Sequence, residues 1–182
     1  MWETAGELSA LQNLLDRSFG RASAHLTSIM TPERRFAAGR LVAEIPSPAV
    51  LNIATVTATG EPRVSAVDGH FLHGQWYFTT AADSPKALHL RARPAISASF
   101  TPRDGLGVFC HGRAVLLDAA ARQMLRSHFT DTYGEDPEVW GSIAYVRIDA
   151  RWLVGFAMTG AEMATIEADR AARQNTPMDP RP

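Results

Sequence analysis

Apolar side chains recur three and four positions apart at the start of the chain: Leu8, Leu11, Leu14, Leu15 and Phe19. This period predicts an amphipathic helix from Glu3 to about Phe19. Thr31, Pro32 and Glu33 have the order of a helix N-cap, a first-turn proline and a first-turn acid, so a second helix is predicted from Pro32 to about Glu44. A barrel mouth or a partner subunit is a candidate surface for these helices, but simple core packing is the favoured interpretation for their apolar residues.

After residue 50 the hydrophobic period shortens, and β-branched residues become frequent. Strand-like segments are predicted at 51–58, 63–68, 75–80, 95–100, 106–117, 143–149 and 152–157. Turn signals at 59–62 and 73–74 separate the first of them, and Gly112 predicts a bulge in the longest. Further helices are predicted at 84–93 and 119–133, the second with Met124, Leu125 and Phe129 facing inward. Such a series predicts a mainly β (α+β) fold, a six- to seven-stranded antiparallel barrel with flanking helices that include the two N-terminal ones.

The length of 182 residues suits one domain with a buried core. We expect this domain to span residues 1–164, with 1–48 as an N-terminal helical segment and 49–160 as the barrel. A short helical piece is predicted after Gly160, and residues 165–182, which end in a polar, proline-rich stretch, are predicted to be a disordered tail.

Charge and composition narrow the possible partners. Eighteen basic and nineteen acidic residues give a net charge of −1, which predicts no general attraction to nucleic acid or to an anionic membrane. No run reaches the roughly 18 apolar residues of a membrane span, and the first residues lack the pattern of a secretory signal. The single cysteine, Cys110, has no intrachain partner and fits a reducing compartment. A cytoplasmic protein without nucleic-acid or membrane partners is expected.

The stretch TTAADSPK, residues 79–86, is the most informative for chemistry. Ser84 is a favoured N-cap, Pro85 suits the first helical position, and Lys86 falls in the first turn. Thr79 and Thr80 end the preceding strand. Hydroxyls, backbone N–H groups and an ammonium therefore converge where a helix N-terminus already favours an anion. The pattern predicts a phosphate site; the alternative is an ordinary capped helix with a solvated lysine.

Histidines raise the question of a metal site: His70, His73, His89 and His111. Residues three apart in an extended strand point to opposite faces, and no acidic or cysteine partner has a metal-binding spacing, so no metal site is predicted. His111 either faces a ligand slot or is a satisfied barrel histidine, and Cys110 is expected to be a core thiol. Nucleophile–base motifs, Walker loops and dinucleotide fingerprints are absent, so no catalytic residue is assigned.

Three segments in this order, IATVTATGEPRVSAV, WYFTTAADSPKALHLRARPAISASF and HGRAVLL, resemble the pyridoxamine 5′-phosphate oxidase-like family. The likeness covers roughly residues 50–118. It implies a split barrel that binds FMN, or the deazaflavin F420, at a homodimer interface.

Family positions transfer onto particular residues of this chain. The arginine-led cofactor strand falls on Arg63, Val64, Ser65, Ala66, Val67 and Asp68. The aromatic–threonine pair falls on Phe78 and Thr79, followed by Thr80, and the Ser-x-Lys helix start falls on Ser84 and Lys86. From the residues alone, Arg63 is equally well a surface arginine of a strand.

Departures from the family pattern affect the implied activity. Asp68 and Pro85 stand where the oxidases proper carry lysine and arginine, and the glutamine of those enzymes is missing near Gly107. Their C-terminal Trp and Arg-Pro segment is also missing. A carboxylate at position 68 repels a nearby phosphate, so vitamin-B6 oxidation is not expected. The resemblance implies an FMN- or F420-dependent oxidoreductase acting on a small organic molecule; the alternative is a non-catalytic module that binds or senses flavin or haem.

Overall fold

The computed structural model describes residues 2–174, and six strands form a closed antiparallel barrel. The strands are β1 Ala49–Val56, β2 Pro62–Leu72, β3 Gln75–Ala81, β4 Ala95–Arg103, β5 Leu106–Leu116 and β6 Ile143–Ala157. Around the barrel the order is β1-β2-β3-β6-β5-β4, and β1 pairs with β4 to close it. The predicted antiparallel barrel with flanking helices is confirmed.

Six α-helices accompany the barrel in the described part of the chain. They are α1 Ala5–Phe19, α2 Ala24–Ile29, α3 Ala38–Glu44, α4 Pro85–Ala92, α5 Ala119–Tyr133 and α6 Gly160–Gln174, with a single 3₁₀ turn at Pro137–Trp140. None of them is both long and apolar enough to cross a membrane.

The barrel interior and the N-terminal helices share one apolar core. Leu11 and Leu15 of α1 and Leu41 of α3 are buried in the same cluster as Leu51, Ile53, Trp76, Phe78, Val146 and Ile148 of the strands. α1 begins with a capping box, in which Thr4 and Glu7 each satisfy the other's backbone N–H. Helix α1 is therefore confirmed, and α1 and α3 pack against the barrel core.

The helix predicted over 32–44 is wrong in its first half. The Thr31 carbonyl accepts hydrogen bonds from the backbone N–H groups of Arg34 and Arg35, which forms one turn and no more. The Phe36 N–H then donates to the Gly155 carbonyl at 2.9 Å, so the chain runs extended against β6. A Cβ at Gly155 would lie 2.7 Å from Phe36 Cδ2. The buried Phe36 ring explains why this tertiary contact overrides the helix signal, and helix α2 was not predicted at all.

The C-terminal strand pair predicted around residue 150 is one continuous strand, β6. Its pairing with β5 shifts register between His111 and Gly112, so that Gly112 pairs with Ala150 and Arg151 is the extra residue. A Cβ at Gly112 would lie 2.2 Å from the Asp149 carbonyl oxygen, which shows how closely the two backbones approach. The predicted bulge at Gly112 is confirmed. The residues around Ala150 lie opposite this bulge on β6, and they do not form a turn between two strands.

Helix α5 packs on the outside of the barrel along a narrow stripe. Leu125 and Phe129 are buried against Tyr77 and Tyr145, as predicted. Met124 was also predicted to face inward, but 81% of its side chain is exposed. The apolar stripe is too narrow for a residue one position, or about 100°, away from Leu125.

Helix α6 occupies residues 160–174, where a disordered tail was predicted to begin at 165. Thr159 and Glu162 cap its start: the Thr159 N–H donates to Glu162 at 2.8 Å, and Thr159 Oγ1 accepts from the Glu162 N–H at 3.3 Å. Arg34 forms a 2.7 Å ion pair with Glu162, and Arg170 forms one with Asp104. These contacts with distant residues are not visible in the local sequence. The proline-rich stretch after Gln174 lies outside the described residues.

Candidate functional site

The start of α4 has the geometry expected of an anion site. Ser84 caps the helix by accepting the Ala87 N–H at 3.3 Å, and Pro85 occupies the first turn. Thr80, at the end of β3, places its Oγ1 3.1 Å from Ser84 Oγ. Two hydroxyls thus lie beside a helix N-terminus, whose first N–H groups have no intrahelical acceptor.

Lys86 adds a positive charge in the first turn of this helix. The side chain is partly exposed, and no ion pair or hydrogen bond to it is found within residues 2–174. The neighbouring cations differ: Arg91 donates to the Ala82 carbonyl, and Arg93 donates to the Val56 carbonyl at 2.9 Å. Lys86 is therefore the cation on α4 that remains available to a ligand.

Arg63 lies at the same end of the barrel as α4, and β1 connects the two. Its register partner is Thr55, and Thr55 Oγ1 lies 3.0 Å from Nδ1 of His89 on α4. The Arg63 guanidinium forms a 2.8 Å ion pair with Glu61, and both side chains are more than half exposed. The exposed pair costs little to break, so Arg63 can exchange Glu61 for an anionic ligand.

The predicted cofactor strand divides its residues between two faces of the sheet. Val64 and Ala66 point outward and are exposed, whereas Ser65 and Val67 point toward the barrel interior and are partly buried. Val50 of β1 lies on the same outer face, next to Asp68. Val50 is 67% exposed and Val64 is 72% exposed.

The outer face continues across β5 and β6 with aromatic side chains. His111 stacks on Trp152 with ring centroids 4.8 Å apart, and its Nδ1 lies 2.9 Å from Ser97 Oγ. Phe109 and Phe156 are stacked beside them at 6.4 Å. His111 is therefore exposed on the outer face and has a side-chain partner in Ser97.

The side chains of Phe78 and Thr79 do not lie with those of the other predicted site residues. Phe78 is fully buried in the barrel interior, which leaves only its backbone for a ligand. Thr79 is on the opposite face of β3, where its register partner is Tyr145, a residue buried under α5. Of the two threonines, Thr80 contacts the start of α4, through the Ser84 hydroxyl.

A buried polar cluster lies between the outside of β2 and helix α5, and the sequence did not predict it. His70 is completely buried, with Nδ1 2.9 Å from His128 Nε2 and 3.2 Å from Ser47 Oγ. Its Nε2 lies 2.9 Å from the Tyr133 hydroxyl, which donates to Asp68 Oδ2 at 3.4 Å. The signal available in the sequence was the position of His70 two residues after Asp68 on one strand face; nothing local indicated the partners from α5.

Burial governs the protonation of this cluster. Desolvation, together with the nearby His128, lowers the pKa of His70 from 6.5 to about 4. Desolvation also lowers the pKa of His128, although Asp131 opposes that effect. Burial and the Asp68 carboxylate raise the pKa of the Tyr133 hydroxyl. All three side chains are therefore neutral near neutral pH.

The histidines weighed as metal ligands lie in different surroundings. His73 pairs with Glu7 at 3.1 Å on the β2–β3 turn, far along the strand from His89 on α4. Within the described residues, no group of three or more His, Cys, Asp or Glu side chains is placed to share a metal ion. Cys110 is a buried core thiol as predicted, and burial raises its pKa to about 12.

Comparison with known proteins agrees with this architecture. No curated protein sequence matches the chain. A conserved hypothetical protein from Mycobacterium tuberculosis has a similar structure, with a TM-score of 0.60 and 20% identity over 70% of this chain and 88% of its own. An FAD-binding protein from Mesorhizobium loti has a TM-score of 0.54 and 18% identity over 69% of this chain and 98% of its own.

One protein family matches the sequence over the whole barrel. The family described as pyridoxamine 5′-phosphate oxidase matches residues 38–157. This match begins at α3 and ends with β6, so it includes every strand of the barrel. The chain therefore belongs to the pyridoxamine 5′-phosphate oxidase family.

Proposed function

We propose that the protein is a homodimeric oxidoreductase that binds FMN, or alternatively F420, and transfers hydride to or from a small organic molecule. The observation that carries the proposal is Lys86 in the first turn of α4, which has no ion pair or hydrogen bond among residues 2–174 and lies at the end of an exposed and largely apolar sheet face.

The residues at the start of α4 fit the phosphate of such a cofactor. Ser84 and Thr80 supply hydroxyls, Lys86 supplies an ammonium, and the helix N-terminus favours negative charge. Arg63 on β2 is the register partner of Thr55 on β1, and Thr55 contacts His89 of α4. The Arg63 guanidinium is therefore a further candidate to bind the same anion.

The outer face of β2 fits the ring system. Val64 and Ala66 present small apolar side chains, and the strand carries Asp68 five residues after Arg63, about 17 Å away. A carboxylate repels phosphate and tolerates the ring end of the cofactor. We therefore orient the phosphate toward Arg63 and Lys86 and the ring toward Asp68.

The bound cofactor supplies the hydride chemistry. The protein's part is to hold the phosphate, to position the ring against β2, and to exclude water from its face. Since Asp68 replaces a lysine of the vitamin-B6 oxidases, the substrate proposed is not a pyridoxamine phosphate. The FAD-binding protein of the same fold supports a flavin as the cofactor class.

A second copy of this chain is the proposed cover for the exposed sheet face. Exposed valines and stacked aromatic rings on one sheet face are typical of an interface rather than of a monomer surface. Obligate interfaces commonly bury more than about 2,000 Å². The second subunit also supplies the other wall that a slot on an open sheet face lacks.

Titration of FMN and of F420 into the purified protein tests the phosphate assignment. Lys86→Ala is expected to weaken binding by about one to two decades, because a charge-assisted contact contributes roughly 1.5–3 kcal/mol. The free energy of unfolding in urea without ligand should hardly change, since no side-chain partner of Lys86 is found in the described part of the chain. Ser84→Ala should lose some affinity and about 1 kcal/mol of stability through the helix cap.

Arg21→Ala is the matched control, because this exposed cation lies in the turn after α1. Equal affinities of the wild type and Lys86→Ala would place the phosphate elsewhere, with Arg63 as the next candidate. Failure to bind either cofactor would refute the proposal. A protein that binds FMN or F420 but exchanges no hydride with NAD(P)H or an organic acceptor would be a binding module instead of an enzyme.

A further inference from the structure

The polar cluster under α5 is an unbroken chain of hydrogen bonds that ends at the outer face of β2. Its links are His128 to His70 at 2.9 Å, His70 to Tyr133 at 2.9 Å, and Tyr133 to Asp68 at 3.4 Å. Asp68 is exposed, next to Val50 on the sheet face. The chain thus joins a buried imidazole to the face on which we place the cofactor ring.

The chemistry of the four groups gives the chain one direction. An ionised carboxylate only accepts hydrogen bonds, so the single hydroxyl proton of Tyr133 points at Asp68. The Tyr133 oxygen must then accept from Nε2–H of His70. A neutral His70 that is protonated on Nε2 accepts at Nδ1, and the shorter contact there is with His128 Nε2. Each donor in the series points toward Asp68.

The opposite direction is disfavoured by the same geometry. If His70 carried its proton on Nδ1, Tyr133 would donate to His70 Nε2. The oxygens of Tyr133 and Asp68 would then face each other without a hydrogen between them. Asp68 Oδ2 would lose the hydrogen bond that the Tyr133 hydroxyl donates to it.

Aromatic rings surround the inner side of the chain. The Phe129 ring lies against His70 with centroids 4.6 Å apart, and Trp2 lies edge-on to His128 at 5.3 Å. Ser47 is the remaining polar neighbour of His70, and Asp131 is the charged group that acts on His128. Since the low pKa of His70 keeps it neutral, its ring has one donor and one acceptor, as a proton relay requires.

We propose that His128, His70 and Tyr133 conduct a proton to Asp68, which delivers it to the substrate at the cofactor face. This inference rests on the proposed function. When the substrate accepts a hydride, Tyr133 passes its hydroxyl proton to the Asp68 carboxylate, and Asp68 gives that proton to the resulting anion. His70 passes its Nε2 proton to Tyr133 and takes one at Nδ1 from His128. His128 gives up its own Nε2 proton in that step and takes one at Nδ1 from water. One proton passes from water to the substrate, and both imidazoles finish protonated on Nδ1 until water restores them.

The direction of the chain is testable without any cofactor. Two-bond ¹H–¹⁵N correlation spectra of the labelled full chain, at about pH 7.5, should show His70 and His128 protonated on Nε2. A His128→Asn variant assigns the signals. A His70 ring protonated on Nδ1 would overturn the proposed direction, whatever cofactor the protein binds.

Proton delivery is tested with the FMN-loaded protein, reduced and then mixed with a benzoquinone in H₂O and in D₂O. Tyr133→Phe removes the relay hydroxyl, so the reaction is expected to slow at least about tenfold, as for loss of a general acid, and its solvent isotope effect to shrink. Phe129→Leu is the matched control, because Phe129 packs against His70 and Tyr133 without belonging to the chain.

The outcomes separate this inference from the proposed function. If Tyr133→Phe and Phe129→Leu slow the reaction equally, the cluster is structural and the relay is overturned, while hydride transfer by the protein stands. If no FMN or F420 binds, the proposed function fails and the relay has no substrate to serve, even where the tautomers are as expected.

Discussion

The stability of the fold should fall in mild acid because of one buried side chain, His70. The unfolded chain binds a proton on this imidazole below pH 6.5, whereas the folded protein does so only below about pH 4. A depressed folded pKa contributes stability that is complete above the unfolded pKa and is lost as the pH falls toward the folded value. The pH window for the loss therefore runs from about 6.5 down to about 4.

The magnitude follows from the two pKa values. Their difference corresponds to about 3 kcal/mol once both states are protonated, and about 2.5 kcal/mol of it is lost by about pH 4.5. Those figures are upper values, because adjustment of the helix above His70 would lower them. A loss of this size is a large part of the stability of a typical domain.

The assay compares urea unfolding of the wild type and of His70→Asn at about pH 7.5 and about pH 4.5, at one protein concentration. The variant is less stable at the higher pH because it breaks the cluster, but it lacks the titrating ring. The difference in the free energy of unfolding between the wild type and His70→Asn should therefore be about 2 kcal/mol smaller at about pH 4.5 than at about pH 7.5. His25→Asn, on the exposed surface of α2, is the control and should follow the wild type. If acid lowered the free energy of unfolding of the wild type and of His70→Asn by the same amount, the reasoning would be refuted.

Two further predictions concern the barrel and its outer face. Gly112→Ala places a methyl group 2.2 Å from the Asp149 carbonyl oxygen, so we expect a loss of about 3 kcal/mol in urea unfolding, whereas Gly39→Ala, with nothing within 4 Å in α3, should be neutral or slightly stabilising. Val64→Glu puts a charge on the proposed dimer face; light scattering should show a monomer with unchanged circular dichroism, whereas Met124→Glu on exposed α5 should stay dimeric. A wild-type protein that is monomeric at micromolar concentration would contradict the dimer itself.

Local sequence signals predicted those elements whose determinants lie within a few residues. The spacing of apolar residues from Leu8 to Phe19 and the Ser84-Pro85 helix start are short-range features, and each marks a real helix. Residues 32–36 show the opposite case. There a good N-cap pattern yields to an extended segment, because burial of Phe36 against Gly155 outweighs one turn of helix.

The candidate site divides in the same way. The capped helix start at Ser84 to Lys86, where we propose the phosphate, was predictable because a helix N-terminus and its capping residues are contiguous in the chain. The inward or outward direction of Val64, Ser65 and Phe78 was not, because it depends on which face of each strand the barrel encloses.

The amino-acid sequence by itself determined the alternation of strands and turns, the bulge at Gly112 and the capped start of α4, since each depends on backbone preferences of neighbouring residues. Only the tertiary structure decided that β6 is one strand, that Met124 faces solvent and that α6 is held through Arg34. It also brought His70 to His128, 58 residues away in the sequence. The reason is physical: burial and long-range hydrogen bonds depend on which distant segments the closed barrel places side by side, and no local period encodes that.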